Sequence, residues 1–310
     1  MMIFIWMLQI ILVPAISPLA IGLINKIKAR LQNRRGASIF QPYKDIWKLL
    51  HKDEVVSRDA SWIFYYAPYI VFTITLILAG SLPLFASFLN NIMTGDLLTI
   101  VYLIAFGTFF LALAGLDIGG AFGGFGSSRE MTISALAEGG LIFSLLAVAI
   151  NVGTSNLFEM STLGFSFYDQ HLLPTLLALA GFFVVLLAEA ARFPFDNPAT
   201  HLELTMVHEA MILEYSGKRL ALMEWSAANK LICFIAIGAN IFFPWGLATS
   251  VGVSVLILSL IIFILKIFIF CAVIALIESS MAKFRFFRLP DLLFISFILS
   301  VMAISLTQIL

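Results

Sequence analysis

Charged side chains are scarce in this chain. Asp, Glu, Lys and Arg make up 12% of its 310 residues, against about a quarter in soluble domains. That scarcity excludes an ordinary soluble domain. It also excludes intrinsic disorder, which needs low hydrophobicity and high charge. Neither sign is in excess, with 18 Lys and Arg against 18 Asp and Glu, so nothing marks a nucleic-acid-binding surface. Cysteine is nearly absent. Cys233 and Cys271 cannot by themselves make a four-cysteine iron–sulfur or zinc site, and they suggest no disulfide framework.

Apolar residues fill the remainder: 61% of the chain is hydrophobic and its mean hydropathy is +1.05. The charges cluster between long uncharged runs at 1–25, 60–95, 97–116, 139–158, 170–188, 231–265 and 292–310. A membrane-spanning helix needs about 20 apolar residues. The run 231–265 breaks at Phe243-Pro244-Trp245-Gly246, an interfacial aromatic beside helix breakers. The expectation is an all-α polytopic protein, residues 1–310 forming one membrane domain. Its eight spans lie near 2–25, 63–88, 97–118, 129–151, 172–190, 225–243, 250–279 and 289–309. The first span lacks a basic leader and a cleavage site, so it reads as retained.

The basic residues set the orientation. Nine fall in the first loop, Arg129 in the third, Arg192, Lys218 and Arg219 in the fifth, and Lys283, Arg285 and Arg288 in the seventh: 16 of the 18. The even loops and both termini hold none. By the positive-inside rule the odd loops are cytoplasmic and both termini external. The two large cytoplasmic loops are 26–62 and 191–224.

Within the first loop, Pro42 suits a helix start. Tyr43, Ile46, Trp47 and Leu50 then share one face, with Lys44, Lys48 and Lys52 elsewhere. This predicts an in-plane amphipathic helix, serving either as a lipid-resting connector or as a rim for a soluble partner. The glycine-rich 119–126 stretch lacks both the Gly-Lys-Ser/Thr ending and the preceding strand of a phosphate loop. Ser127 and Glu130 fit a capping box opening the fourth span.

Ionisable residues inside the spans are the sharpest signal. A charge at the bilayer centre costs about 2.5–3.5 kcal/mol even on the lenient insertion scale. Asp117, Glu130, Glu189 and Glu278 lie near cytoplasmic helix ends. Glu138 lies ten residues past Ser128, or about 15 Å along a helix. Lys230 and Lys266 also fall within spans. The bland readings are snorkelling or solvation for the four at helix ends and a structural buried pair for the deeper ones; the functional one is a hydrated proton path using all seven residues. The histidines exclude a transmembrane haem, which needs axial ligands inside helices, because His51, His201 and His208 fall in loops and His171 at a span boundary. His208-Glu209 lacks the second histidine of a zinc protease signature.

The fifth loop carries Ala188-Glu189, Arg192, Pro194-Phe195-Asp196 and Glu214-Tyr215-Ser216-Gly217 in order. The first loop carries Arg35-Gly36, Gln41-Pro42, Asp45 and Lys48-Leu49, and the third Gly126-Ser127-Ser128-Arg129-Glu130 through Ala137-Glu138. Together these closely resemble the membrane subunit shared by respiratory complex I, where it is subunit 1, and the complex I-like membrane-bound hydrogenases. The stretch Asn197-Pro198-Ala199-Thr200-His201-Leu202-Glu203 through His208-Glu209 departs from the acid-rich pattern of the quinone-reducing branch. It resembles the branch of formate hydrogenlyase subunit 4 and hydrogenase-4 component C, as do Arg285-Phe286-Phe287-Arg288 and Pro290-Asp291.

The resemblance implies a membrane anchor in the cytoplasmic membrane of a prokaryote that couples soluble-arm redox chemistry to ion translocation. Implied partners are a hydrogenase-like large subunit, an iron–sulfur small subunit, antiporter-like membrane subunits and the lipid bilayer, with no nucleic acid. Nickel–iron and iron–sulfur centres are expected in those partners and no cofactor in this chain. The implied arm-facing residues are Arg35, Gln41, Asp45, Lys48, Arg129, Arg192, Asp196, His201, Glu203, His208, Glu209 and Glu214. The alternatives are a quinone-chamber subunit of a respiratory NADH dehydrogenase and a self-contained ion transporter. The latter often shows internal repeats, and none is evident here.

Overall fold

The computed structural model describes residues 2–89, 95–167, 172–196, 206–282 and 284–309. The described residues form α1 (Met2–Leu31), α2 (Gln41–Leu50), α3 (Trp62–Ser81), α4 (Leu97–Asp117), α5 (Ala121–Val152), α6 (Leu157–Phe167), α7 (Leu172–Glu189), α8 (His208–Ile212), α9 (Gly217–Ile241), α10 (Val253–Ser280) and α11 (Leu289–Ile309). A 3₁₀ turn at Phe286–Arg288 runs into α11. Eight of these segments are long and apolar enough to cross a membrane, the last being Phe286–Ile309. The chain is an all-α, multi-pass membrane protein.

α9 sits at the centre. Its residues from Leu231 to Ile241 are buried on every side, as expected of a helix apolar all round. It packs against α1, α3, α7 and α10, while α5, α7 and α11 form a second group beside it. Ser296 on α11 donates to the Gly181 carbonyl on α7 at 2.7 Å. α2 lies across α1 and α9.

Prolines inside the spans create acceptors that neighbouring elements use. A helical proline has no N–H, so the carbonyl four residues earlier is left free. Pro18 frees the Pro14 carbonyl, and the Trp225 indole N–H of α9 donates to it at 2.9 Å. Pro68 frees the Phe64 carbonyl, and the Tyr215 hydroxyl donates to it at 3.0 Å. Burial holds the Tyr215 phenol above its ordinary range, consistent with a permanent donor.

Three expectations are corrected. First, α5 begins at Ala121 with Gly120 as N-cap, so Ser127 and Glu130 are not a capping box. The Ser127 hydroxyl donates instead to the Ala112 carbonyl at 2.9 Å. The glycine-rich stretch is helical because α4 and α5 meet there at backbone contact. A Cβ on Gly123 would lie 2.1 Å from the Gly115 carbonyl oxygen, a contact no other residue permits. Second, α9 starts at Gly217, not near 225, and its charged first turns border a cavity. Third, α3 stops at Ser81, and 82–87 runs on as buried chain. Gln9 accepts from the Leu84 N–H at 3.0 Å, and Asn240 donates to the Pro83 and Leu84 carbonyls at 2.6 and 2.7 Å. The expected in-plane helix is present as α2, with Ile46 buried against the bundle and Trp47 67% exposed. The short helix α6 has no counterpart among the sequence expectations.

Candidate functional site

Polar and charged side chains converge from four helices, α4, α5, α7 and α9. Glu189 ends α7 and is buried. A carboxylate there faces the unfavourable end of the helix dipole, and Lys230 of α9 offsets it at 2.6 Å. Lys230 also donates to the Thr108 hydroxyl of α4 at 3.3 Å. The Ser134 hydroxyl of α5 lies 3.2 Å from Glu189 Oε1 and 3.4 Å from Glu138 Oε1. Its single proton serves one carboxylate at a time. Glu130, buried one turn before Ser134, faces Lys230, Glu189 and Asp196. Glu130, Glu138, Glu189 and Lys230 thus form one cluster.

Beside this cluster lies a pocket of about 70 Å³, bordered by Thr75, Thr108, Glu189, His208, Ser226 and Lys230 among apolar neighbours. A larger chamber of about 380 Å³ adjoins it. Asn25 of α1, Asp45 and Ile46 of α2, Arg192 and Asp196, His208 and Glu209 of α8, and Glu224 of α9 line the chamber. His208, Ala190, Ala191 and Ala227 border both spaces.

A short stretch of irregular chain frames this arrangement. Asp196, buried, accepts the Val207 and His208 backbone N–H groups at 3.1 Å each. Arg192 is buried and meets Glu278 of α10 at 3.3 Å, while Lys28 of α1 meets the same carboxylate at 3.1 Å. The peptide bond between Phe193 and Pro194 is cis. Burial lowers the His208 pKa to about 4, with Lys230 and Arg192 acting in the same direction and Asp196 against. Burial raises the Glu209 carboxyl to about 7, reinforced by Glu224 and then Asp196.

The remaining sequence candidates lie elsewhere. Asp117 accepts the Ser61 backbone N–H at 2.7 Å and also takes the Ser61 hydroxyl, so it fastens the start of α3. It does not join Glu189 and Glu278. Lys266 of α10 donates to Asn240 at 3.0 Å and to the Phe243 carbonyl at 2.6 Å, beneath the Trp245 ring. Its partner Asn240 is ten residues past Lys230 on α9, about 15 Å along the axis, so Lys266 stands apart from the cluster. Arg35, Lys48 and Glu214 are exposed, and Gln41 donates to Asp45 at 2.8 Å. Arg129 donates to the Met206 carbonyl at 3.1 Å and lies over the Phe125 and Phe286 rings. Arg192 and Asp196, expected at the arm interface, are buried in the chain, line the chamber and each hold a partner within the chain. His201 and Glu203 lie outside the described residues. Sequence reasoning missed Ser134, Thr108 and Glu224. Hydroxyls in apolar spans give no signal, and Glu224 falls in a stretch that reads as loop.

A family model described as NADH dehydrogenase matches residues 3–308. The chain belongs to the NADH dehydrogenase subunit 1 family. Within that family it is 33% identical to hydrogenase-4 component C of Escherichia coli (strain K12), covering 95% of this chain and 92% of that one. It is also 33% identical to formate hydrogenlyase subunit 4 of the same organism, covering 90% of each. NADH-quinone oxidoreductase subunit 8 of Rhodothermus marinus is 27% identical, over 71% of this chain and 66% of that one. The fold is shared with a chain of the membrane-bound sulfane sulfur reductase, an archaeal respiratory membrane complex. The TM-score is 0.80 at 22% identity, covering 97% of this chain and 99% of the other. The matched residues run through all eight spans and through the motifs of the first, third and fifth loops.

Proposed function

We propose that this chain is the membrane anchor and proton-coupling subunit of a complex I-like membrane-bound hydrogenase of the formate hydrogenlyase or hydrogenase-4 type, in the cytoplasmic membrane of a prokaryote. One observation carries the reading: a cytoplasmic-side chamber adjoins a Glu130–Glu138–Glu189–Lys230 cluster inside the spans, in which Glu130 and Glu189 are buried and Glu138 and Lys230 partly so. A soluble partner resting over α2 and α8 can bias the charges in the chamber. Lys230 answers any change in the charge of Glu189, since the two are only 2.6 Å apart. The Ser134 hydroxyl then switches its proton between Glu189 and Glu138. Similarity to hydrogenase-4 component C and formate hydrogenlyase subunit 4 over nine-tenths or more of the chain supports the hydrogenase branch over the quinone branch. The chain itself binds no haem, flavin or iron–sulfur cluster in this reading. A hydrogenase-like large subunit and an iron–sulfur small subunit carry the nickel–iron and iron–sulfur centres, and antiporter-like subunits flank it in the membrane.

Mild-detergent purification tests the assignment. The expected co-eluting proteins are a hydrogenase-like large subunit and its iron–sulfur partner, with hydrogen-linked turnover in the eluate. An NADH-oxidising module with quinone reductase activity would transfer the chain to the quinone branch. Elution alone, with ion flux in vesicles, would establish the self-contained transporter. Iron in stoichiometric amount, or a haem band, in the isolated subunit would overturn the cofactor assignment.

A further inference from the structure

The chamber and the inner pocket share few residues, and of those only His208 is titratable. Its backbone is fixed, because the His208 N–H and its neighbour's donate to the buried Asp196 carboxylate. Its ring is not fixed in that way. Among the described residues neither ring nitrogen makes a hydrogen bond, although the residue is only partly exposed. Polar groups at such depth are normally satisfied by protein or by water. The residue lines both cavities.

We propose that His208 is the relay through which a proton passes from the acidic chamber to the pocket holding Glu189 and Lys230. This rests on the coupling role proposed above and names the residue that joins its two halves. On the chamber side the groups that face it are Glu209 on its own helix, Asp45 on α2, Glu224 on α9, and Arg192 and Asp196 on the connecting chain. On the pocket side they are Glu189 on α7 and Lys230 on α9. Glu130 of α5 lies beyond these two.

Neutral imidazole has one nitrogen that accepts and one that donates. One ring nitrogen takes a proton from the chamber, and the other releases its own proton toward Glu189 through water. The pocket of about 70 Å³ is large enough, since about 10–15 Å³ admits one water molecule. Tautomer exchange then resets the ring, so one proton has moved and the imidazole begins and ends neutral. Burial first, and then the cations Lys230 and Arg192 against the opposing Asp196, keep the resting ring neutral. A persistent imidazolium there would block the next transfer.

The experiment uses the intact complex in vesicles with a pH-sensitive dye, comparing wild type, His208→Gln, His208→Asn, His208→Ala and Glu130→Gln. His208→Gln and His208→Asn are expected to assemble, to keep redox turnover with an uncoupler present, and to lose translocation by at least about tenfold, the low end of what a positioned acid–base group supplies. Imidazole added to the medium is expected to restore His208→Ala in part, which a packing role does not predict. Wild-type pumping by His208→Gln, an Ala variant that imidazole leaves unchanged, or failure of both amide variants to assemble would each overturn the relay. Glu130→Gln separates the two levels. If it abolishes pumping while His208→Gln does not, only the relay fails. If neither lowers pumping, the coupling role fails with it.

Discussion

Glu278 offers a test of how the connecting chain is held. Its side chain is 1% exposed and meets two cations: Arg192, 7% exposed, at 3.3 Å and Lys28, 20% exposed, at 3.1 Å. Glu278→Met removes the anion and strands Arg192. Removing one partner of a buried pair costs about 3–5 kcal/mol. Lys28 retains a path to water and lies 4.6 Å from the Phe193 ring centre, so it adds little. The expected loss is therefore about 3–4 kcal/mol, from Arg192 alone. Arg192→Met leaves Glu278 with Lys28 and should cost less, about 1–2 kcal/mol. Independent effects would sum to about 5 kcal/mol. The double variant removes both buried charges and replaces them with apolar side chains, a change often near neutral, so its expected loss is about 1–2 kcal/mol. Unfolding of the purified protein in mixed micelles titrated with dodecyl sulfate measures all four corners of the cycle. A double variant as unstable as the sum of the singles would refute the reasoning, because Arg192 and Glu278 would then not depend on each other.

Three further outcomes are expected. Gly123→Ala forces a Cβ against the Gly115 carbonyl and should cost at least about 2 kcal/mol, whereas Gly124→Ala, with open space at the Cβ position, should be neutral or slightly stabilising; equal effects in the same titration would contradict backbone contact between α4 and α5. Tyr215→Phe should cost about 1–3 kcal/mol by leaving the Phe64 carbonyl unpaired, and a second change, Pro68→Ala, should recover part of it by restoring a helical N–H donor; no recovery would show that the proline is not the reason for the bond. Glu209 titrates near pH 7, so its contribution to stability is present below about pH 4.5 and is lost as pH rises through 7. Replacing the facing carboxylate by Glu224→Gln should shift the Glu209 infrared titration downward, and an unmoved midpoint would exclude their interaction.

The spans were legible because length and apolar content decide whether a helix can cross a membrane, and all eight are present. Their ends were less so. The glycines at 119–126 read as loop because propensity counts them as helix breakers, but tertiary contact at Gly115 and Gly123 outweighs propensity. The start of α9 was hidden because Lys218, Arg219 and Glu224 look like loop residues until a cavity is placed beside them. Depth counting singled out Glu138 but could not show that Ser134 joins it to Glu189. Nor could linear sequence separate Lys266 from Lys230, since both are cations within apolar runs; which neighbours they meet depends on helix packing alone. Asp117 illustrates the opposite error. A carboxylate at a helix end suggests a place on the path, and its actual partner is the backbone N–H of Ser61.

The bonds gathered at Asn240 give α9 a mechanical character. Asn240 grips two carbonyls of the 82–87 segment and receives Lys266, so that end of the helix is pinned. Lys230 lies about 15 Å away along the same rigid rod. Around a fulcrum at Asn240, a tilt of about 4° moves Lys230 by about 1 Å over that arm. Glu224 sits still farther out on the same rod and moves more. A load that widens the chamber by leaning on α9 therefore also changes the gap between Lys230 and Glu189. The two spaces share one moving part, and neither can be reshaped through that part without the other registering it.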